Sequence, residues 1–403
     1  MTVPNTPPTR PHHRRRLPAV LALVLAVAAG ACTSASRGDT SPATPAANAQ
    51  VSLKGVCPDP VVVQTSWYPQ SEHGELYQLL GNGYRIDAAH KRVTGTLTIR
   101  GKSTGVRLEL RAGGPAVGNQ TAPALMYQDP SITLGMLNPD QIIQLSKTQP
   151  VIGVVAPMEL DAQVIFWDPK AHPDWHTIAD IGQTDTKVLY FQGSTYMDYL
   201  LGSGILRQKQ VDASYDGSPS VFVGSRGQIA VQGYATNEPY TLQHEVKAWG
   251  KPVAYQLVYD TGYPNYANVL AVRTDKRNTL DACLHRLVPM LQQAQVDFIT
   301  NPTAAIDRII KVNDAYKTGF VYSRANAQFA VTQMRQLGIV ANGGDQTLGN
   351  FDTGRLDRLL HIVAPIFAGQ RKPIPADLGP AQVATNAYIA PSIGLPAPGG
   401  NQR

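Results

Sequence analysis

Apolar positions along this chain fall into short runs separated by turn residues, and the spacing inside each run sorts them into strands and helices. A β-branched run at 60–65 predicts a buried strand. Apolar residues at helical spacing follow at 72–80 and stop at Gly81-Asn82-Gly83, a glycine-rich helix terminus. Alternation across 91–111 (Thr96, Thr98, then Val106, Leu108, Leu110), with a turn near Gly101, predicts two strands. Further strands are expected at 132–137, 151–156 and 164–167. Asn138 as N-cap and Pro139 in the first turn open a helix after the first of these. A second unit starts with a strand at 187–191 and a helix at 196–201, then apolar segments at 220–223 and 229–232. Strand-like runs return at 255–258 and 268–272. After Asp275 the pattern turns helical, at 280–299, 303–315, 325–337 and 355–367, and a Pro- and Gly-rich tail beyond Lys372 is expected to wrap a surface. Strands alternating with helices predict an α/β fold. No repeat of fixed period is visible.

The first residues follow another pattern. Arg10, Arg14, Arg15 and Arg16 precede a charge-free apolar run at 17–31. That run is shorter than the ~20 residues a membrane-spanning helix needs. A basic head, a short apolar middle and the small residues Ala29-Gly30-Ala31 before Cys32 mark a secretory signal over 1–32. Its end resembles the bacterial lipobox, in which the cysteine is lipidated, although Ala29 stands where Leu is usual. The other reading is an ordinary signal cut near Ala31. The stretch 33–56 begins with Ser, Thr, Ala, Pro and Gly and reads as a flexible tether.

Charge changes little. The net charge is +6, and the first 32 residues hold four arginines and no acid, which leaves +2 for the remainder. No basic patch with interleaved aromatics points to nucleic acid. With Cys32 assigned to lipid, Cys57 and Cys283 remain, in an exported setting where disulfides persist. They are either joined across a very long loop or separate buried thiols. No CxxC motif or Cys/His cluster calls for a metal, and no cofactor is expected. HExxH and phosphate-loop motifs are missing, and the Gly-x-Ser-x-Gly spacing at Gly101–Gly105 falls at the turn between two expected strands, not at the strand-to-helix turn of a nucleophile elbow, so no enzyme is expected. About 350 residues after the tether suffice for two lobes.

The segment from Ser66-Trp67-Tyr68-Pro69-Gln70 through Glu72-His73-Gly74 to Tyr77 resembles the opening of the nitrate/sulfonate/thiamine-precursor class of periplasmic binding proteins. In that class a tryptophan follows the first strand and a His-Gly or His-Ala pair starts the first helix. Asn237-Glu238-Pro239-Tyr240 resembles the segment that ends a lobe in such proteins, and the order of elements fits from 57 to 367. The resemblance implies a type II periplasmic-binding-protein fold, two α/β lobes joined by a two-crossing hinge. Lobe 1 would be 57–162 plus 258–403 and lobe 2 would be 163–257, with crossings near 157–164 and 254–262. It further implies capture of a small solute, anionic or heterocyclic, for an ABC permease and its ATPase. The protein would be a monomer, held by lipid on the extracytoplasmic face of the cell membrane. An exported hydrolase, or a sensor lipoprotein with the same clamp, is the alternative.

Ligands of open α/β sheets sit beyond the carboxyl ends of the strands, which selects the post-strand loops as the site. Trp67 and Tyr68 would stack on a flat ligand or wall the cleft, or else pack beneath the first helix. His73, neutral at a helix start, would hydrogen-bond a ligand or serve the first loop. Gly113 and Gly114 would let the backbone approach a ligand, or simply turn before Pro115. Gln192, Gly193, Ser194 and Thr195 offer backbone N–H groups and hydroxyls to a carboxylate, sulfonate, phosphate or nitrate oxygen, or cap a helix. Glu238 would accept from an amino or ring N–H, or remain a solvated acid. Glu72, a helix-start acid, pairs with it in type. Asp260 and Tyr263, with Tyr266, follow the second crossing, where the tyrosines would act as a lid.

Overall fold

Three consecutive β-branched side chains suit a strand covered on both faces, and Val61, Val62 and Val63 are all buried at the centre of a sheet. The structure is a computed structural model that describes residues 51–396. The signal segment and Cys32 lie outside the described residues. The strands are β1 (Val61–Gln64), β2 (Arg85–Asp87), β3 (Arg92–Ile99), β4 (Lys102–Arg111), β5 (Leu134–Leu137), β6 (Val151–Val155), β7 (Gln163–Trp167), β8 (Val188–Leu189), β9 (Val211–Asp212), β10 (Ala230–Tyr234), β11 (Ala254–Leu257) and β12 (Val269–Arg273).

They form two mixed sheets. The seven-stranded sheet has the order β2-β3-β4-β1-β5-β12-β6, and the five-stranded sheet β11-β7-β10-β8-β9. β1 pairs parallel with β4 and with β5, so Val63 lies opposite both Leu110 and Leu134. β12 is antiparallel to both β5 and β6. In the second sheet β10 is parallel to β8 and antiparallel to β7. The chain passes from the first sheet to the second after β6 and returns after β11. Each sheet with its helices makes one α/β lobe, as the alternation of strands and helices predicts.

Local departures have local causes. The helix expected at 72–80 is a 3-10 turn, Ser71–His73, followed by a short helix, Gly74–Gln78. It ends early because Gly81 donates its N–H to Thr96 of β3 (2.8 Å), and Leu80 bridges Leu97, so the backbone is drawn into the sheet. The segment at 220–223 is the helix Ser220–Gly224. The helices Ala122–Gln128 and Ile178–Gly182 and the edge strand β2 were not anticipated.

The helix Arg277–Thr300 packs against the helix Gly74–Gln78 and against β6, burying Cys283, Leu284, Leu287, Val288, Leu291, Ala294 and Phe298 at helical spacing. Cys283 forms a disulfide with Cys57, 226 residues earlier. A cross-link over so long a loop removes denatured-state entropy worth about 5 kcal/mol in the chain-entropy model. The tail covers the edge strand β6: Thr385 donates its N–H to the Gly153 carbonyl (2.9 Å), and Leu348 donates to Ile393 (2.9 Å). Among the described residues no helix is long and apolar enough to cross a membrane.

Glu75 lies in this first lobe with no exposed surface, and neither carboxyl oxygen finds a hydrogen-bond partner among the described residues. Burial pushes its pKa from 4.5 up to about 8. Between those values the unfolded chain has lost the proton while the folded one keeps it, so stability is full below the lower value and falls as pH rises. Glu75→Gln should therefore gain stability over the parent by about 1 kcal/mol per pH unit between pH 5 and 8. Urea unfolding across that range checks this, and a gain independent of pH would contradict it.

Candidate functional site

Parallel strands deliver the loops that follow them to one edge. β1 and β5 in the first sheet, and β8 and β10 in the second, end at the same cleft, while the antiparallel β7 and β12 begin there. The cleft holds a cavity of about 260 Å³. Its wall comes from Ser66 and Trp67 after β1, Asn138 and Asp140 after β5, and Asp161 before β7. Ser194 and Thr195 after β8, Asn237 and Glu238 after β10, and Asn268 before β12 complete it. An adjoining cavity of about 390 Å³ shares Trp67, Tyr215, Glu238 and Phe320 and extends towards Tyr68 and Glu245.

Asn268 fastens the first-lobe side. It is 2% exposed with a left-handed backbone (φ 51°). Its N–H donates to Asn138 Oδ1 (3.0 Å), its Nδ2 to the Glu72 carbonyl (3.1 Å), and its Oδ1 accepts from Ser66 Oγ (3.1 Å). Asn138 Nδ2 in turn donates to Asp161 Oδ2 (3.0 Å), whose other oxygen accepts the Gln163 N–H (3.0 Å). Across the cleft, second-lobe hydroxyls reach first-lobe carboxylates: Thr195 donates to Asp140 and Thr236 to Glu72. Asp140 also accepts from Tyr263 Oη (2.8 Å).

Burial, and then the charge of Asp140, pushes Asp161 up to about 7. Burial likewise lifts Glu238 to about 7, although the Tyr234 N–H at 2.5 Å works against it. Asp140 is raised by burial against the hydroxyls of Thr195 and Tyr263. Among the described residues no Lys, Arg or His lines either cavity. Gln70, Gln141, Gln163 and Gln232 add neutral amides to the wall, and aromatic rings add apolar surface. Trp67 meets Phe191 across the cleft (ring centroids 5.3 Å apart), Phe191 meets Tyr215 (4.9 Å), and Tyr68 stacks on Phe320 (5.6 Å).

Of the residues singled out in the sequence, Trp67, Ser194, Thr195 and Glu238 line the smaller cavity, and Tyr68 lines the larger. His73 does not. It is fully buried behind Ser66, with Nε2 3.3 Å from Ser66 Oγ, and burial drives its pKa down to about 3. Gly113 and Gly114 stay out of the cavity because other groups fill the space beside them. A Cβ on Gly113 would lie 2.1 Å from the Thr65 carbonyl oxygen, and one on Gly114 (φ 58°) would lie 2.3 Å from the Trp67 ring. Gln192, Gly193 and Asp260 are exposed outside the cavity. Tyr263 is buried behind the wall, where it holds Asp140. Tyr266 packs its ring on the Arg355 guanidinium (3.6 Å) instead of forming a lid.

Sequence reading passed over Asp140, Asp161, Asn237, Asn268 and Phe320 as site residues. Asp140 and Asp161 carried a usable signal, one just after a strand and the other inside the first crossing. Phe320 sits in a loop between two helices and carried none. Among the described residues, no group of three or more His, Cys, Asp or Glu side chains is placed to hold a metal.

The geometry can be set beside known proteins. No family model matches the chain, and no curated protein sequence matches it. Solved structures do. The alkanesulfonate-binding protein SsuA from Xanthomonas axonopodis pv. citri, bound to MOPS, is 12% identical with a TM-score of 0.50, covering 82% of this chain and 99% of that one. The periplasmic aliphatic sulphonate binding protein SsuA from Escherichia coli is 14% identical with a TM-score of 0.50, covering 86% and 97%. A desulfurization enzyme, DSZB, is 14% identical at a TM-score of 0.40, too distant to argue from. The first two establish the fold: this chain has the periplasmic-binding-protein architecture, two α/β lobes around a cleft.

Gly114 has both a positive φ and a tryptophan ring against its Cα, so any Cβ there strains the backbone and displaces Trp67. Gly114→Ala should cost about 1–3 kcal/mol in urea unfolding and shift the tryptophan emission of the folded protein. An unchanged midpoint and spectrum would contradict this placement of Trp67.

Proposed function

We propose that this chain is the extracytoplasmic solute-binding component of an ABC importer, anchored to the cell membrane through lipid on Cys32 and a tether over 33–56. The observation that carries the reading is a cavity whose wall is shared between two lobes joined by two crossings. A solute held there touches both lobes, so it stabilises the closed arrangement over the open one, which is the only way a ligand can shift such an equilibrium. The closed form would dock on the permease, and its ATPase would drive release. Trp67, Ser194, Thr195 and Glu238, with Asp140 and Asp161, would contact the solute. Lobe 1 would comprise 57–162 and 258–403, and lobe 2 163–257.

The site's chemistry supports binding over turnover. Ser66 and His73 are in contact, but the serine donates its proton to Asn268 and not to the imidazole. His73 Nδ1 has no partner among the described residues to orient the ring, and a base with a pKa near 3 is too weak to activate a hydroxyl.

A thermal-shift screen of the mature protein against organic anions, zwitterions, neutral heterocycles and amines tests the reading. At least one class should raise the melting temperature by mass action. Trp67→Ala should weaken that ligand about tenfold or more, as loss of a buried aromatic contact does, with no substrate consumed. Silence across the panel, or steady turnover of a ligand, would overturn it.

A further inference from the structure

The cleft has an unusual charge inventory. Asp140, Asp161, Asp216, Glu238 and Glu245 line the two joined cavities, and no cationic side chain among the described residues lines either. Among the described residues none of the five takes part in an ion pair, whereas carboxylates elsewhere in the same molecule are paired: Asp168 with Lys251 (2.6 Å), Glu109 with Arg111 (2.7 Å) and Glu159 with Arg355 (2.7 Å). Arg355, whose charge is felt at Asp161, is already committed to Glu159 and to the carbonyls of Glu159, Pro264 and Asn265. His73 is neutral and lies behind Ser66.

An anion entering this space would be desolvated beside carboxylates with no cation to compensate, which specificity by repulsion forbids. The helix start at Thr195, where an anionic ligand was expected, already has an anion: the protein's own Asp140 takes the Thr195 hydroxyl. A bare metal ion fits no better, because the acids are spread along the cavities and no group of three ligating side chains forms among the described residues. Neutral amides such as Gln70, Gln163 and Gln232 and the rings of Trp67, Phe191, Tyr215 and Phe320 make up much of the remaining wall, and aromatic rings suit a flat or apolar body and attract positive charge.

We infer that the solute is an organic cation, a protonated amine or a similar N–H-bearing nitrogen on an apolar or flat body, with its charge between Asp140 and Asp161 on one side and Glu238 on the other. The inference rests on the solute-binding reading and narrows it. The cation supplies the counter-charge the cleft lacks. Its placement between carboxylates from different parts of the clamp makes closure depend on the charge itself. The elevated pKa values of Asp161 and Glu238 are what such a site shows while the counter-charge is missing.

The test uses matched pairs on the same carbon skeleton, an ammonium and a sulfonate each on butyl, cyclohexylmethyl, 2-phenylethyl and 2-(indol-3-yl)ethyl groups. Each is measured by thermal shift and calorimetry on the mature protein. Stabilisation should be confined to ammonium members, and Asp161→Asn and Glu238→Gln should each weaken the best of them about tenfold or more. The wild-type comparison within each pair stands even if a variant folds poorly. A sulfonate that binds, with affinity lost in Trp67→Ala, overturns the cation while leaving the solute-binding reading intact. If no ammonium in the series binds, the inference falls, and the wider screen decides the solute-binding reading separately.

Discussion

Polar groups cannot be buried at a cleft floor unless each finds a partner, and in this protein that constraint converges on Asn268. One side chain and one N–H join the loop after β1, the loop after β5 and the first helical turn. The left-handed backbone at Asn268 lets β12 enter the sheet while its amide faces the cleft, a conformation asparagine tolerates better than most residues. Through Asn138 the same network orients Asp161. The cavity wall on the first lobe is thus a consequence of satisfying buried backbone and amide groups, and the carboxylates arrive already positioned.

The second lobe meets this wall through separable contacts. Thr195 and Thr236 each donate one hydroxyl to a first-lobe acid, and Asn326 Nδ2 donates to Asn237 Oδ1 (2.7 Å) and to Thr241 (2.9 Å). Hydrogen bonds of this kind contribute about 1 kcal/mol each once water is counted. Ring contacts add to these bonds, Trp67 with Phe191 (5.3 Å), Tyr199 with Tyr263 (4.4 Å) and Tyr240 with Phe329 (5.3 Å), and the helix Thr195–Gly202 packs on the helix Thr353–Gly369.

Much of the architecture was legible in the sequence because its strands are buried on both faces. Val61 to Val63 and the run at 151–155 can only be covered strands, and the turn residues between the runs set their order. The strand-end rule then located the cleft, and with it Trp67 and Glu238. Contacts between distant segments were not legible. Glycines at 113 and 114 signal that something approaches the backbone closely, but only the fold shows that it is the Thr65–Ser66 backbone at Gly113 and the Trp67 ring at Gly114. A hydroxyl at a helix start signals an anion, but not that the anion is Asp140, 55 residues away. The Phe320 loop carries no periodicity and so no warning.

Two halves closing on a solute imply a change in shape that is independent of the solute's identity. Small-angle scattering of the mature protein, with and without a saturating concentration of a compound that raises its melting temperature, measures this directly. A smaller radius of gyration in the loaded protein is the predicted result. Identical scattering curves, with the compound bound at the cavity, would contradict closure of the lobes on the ligand.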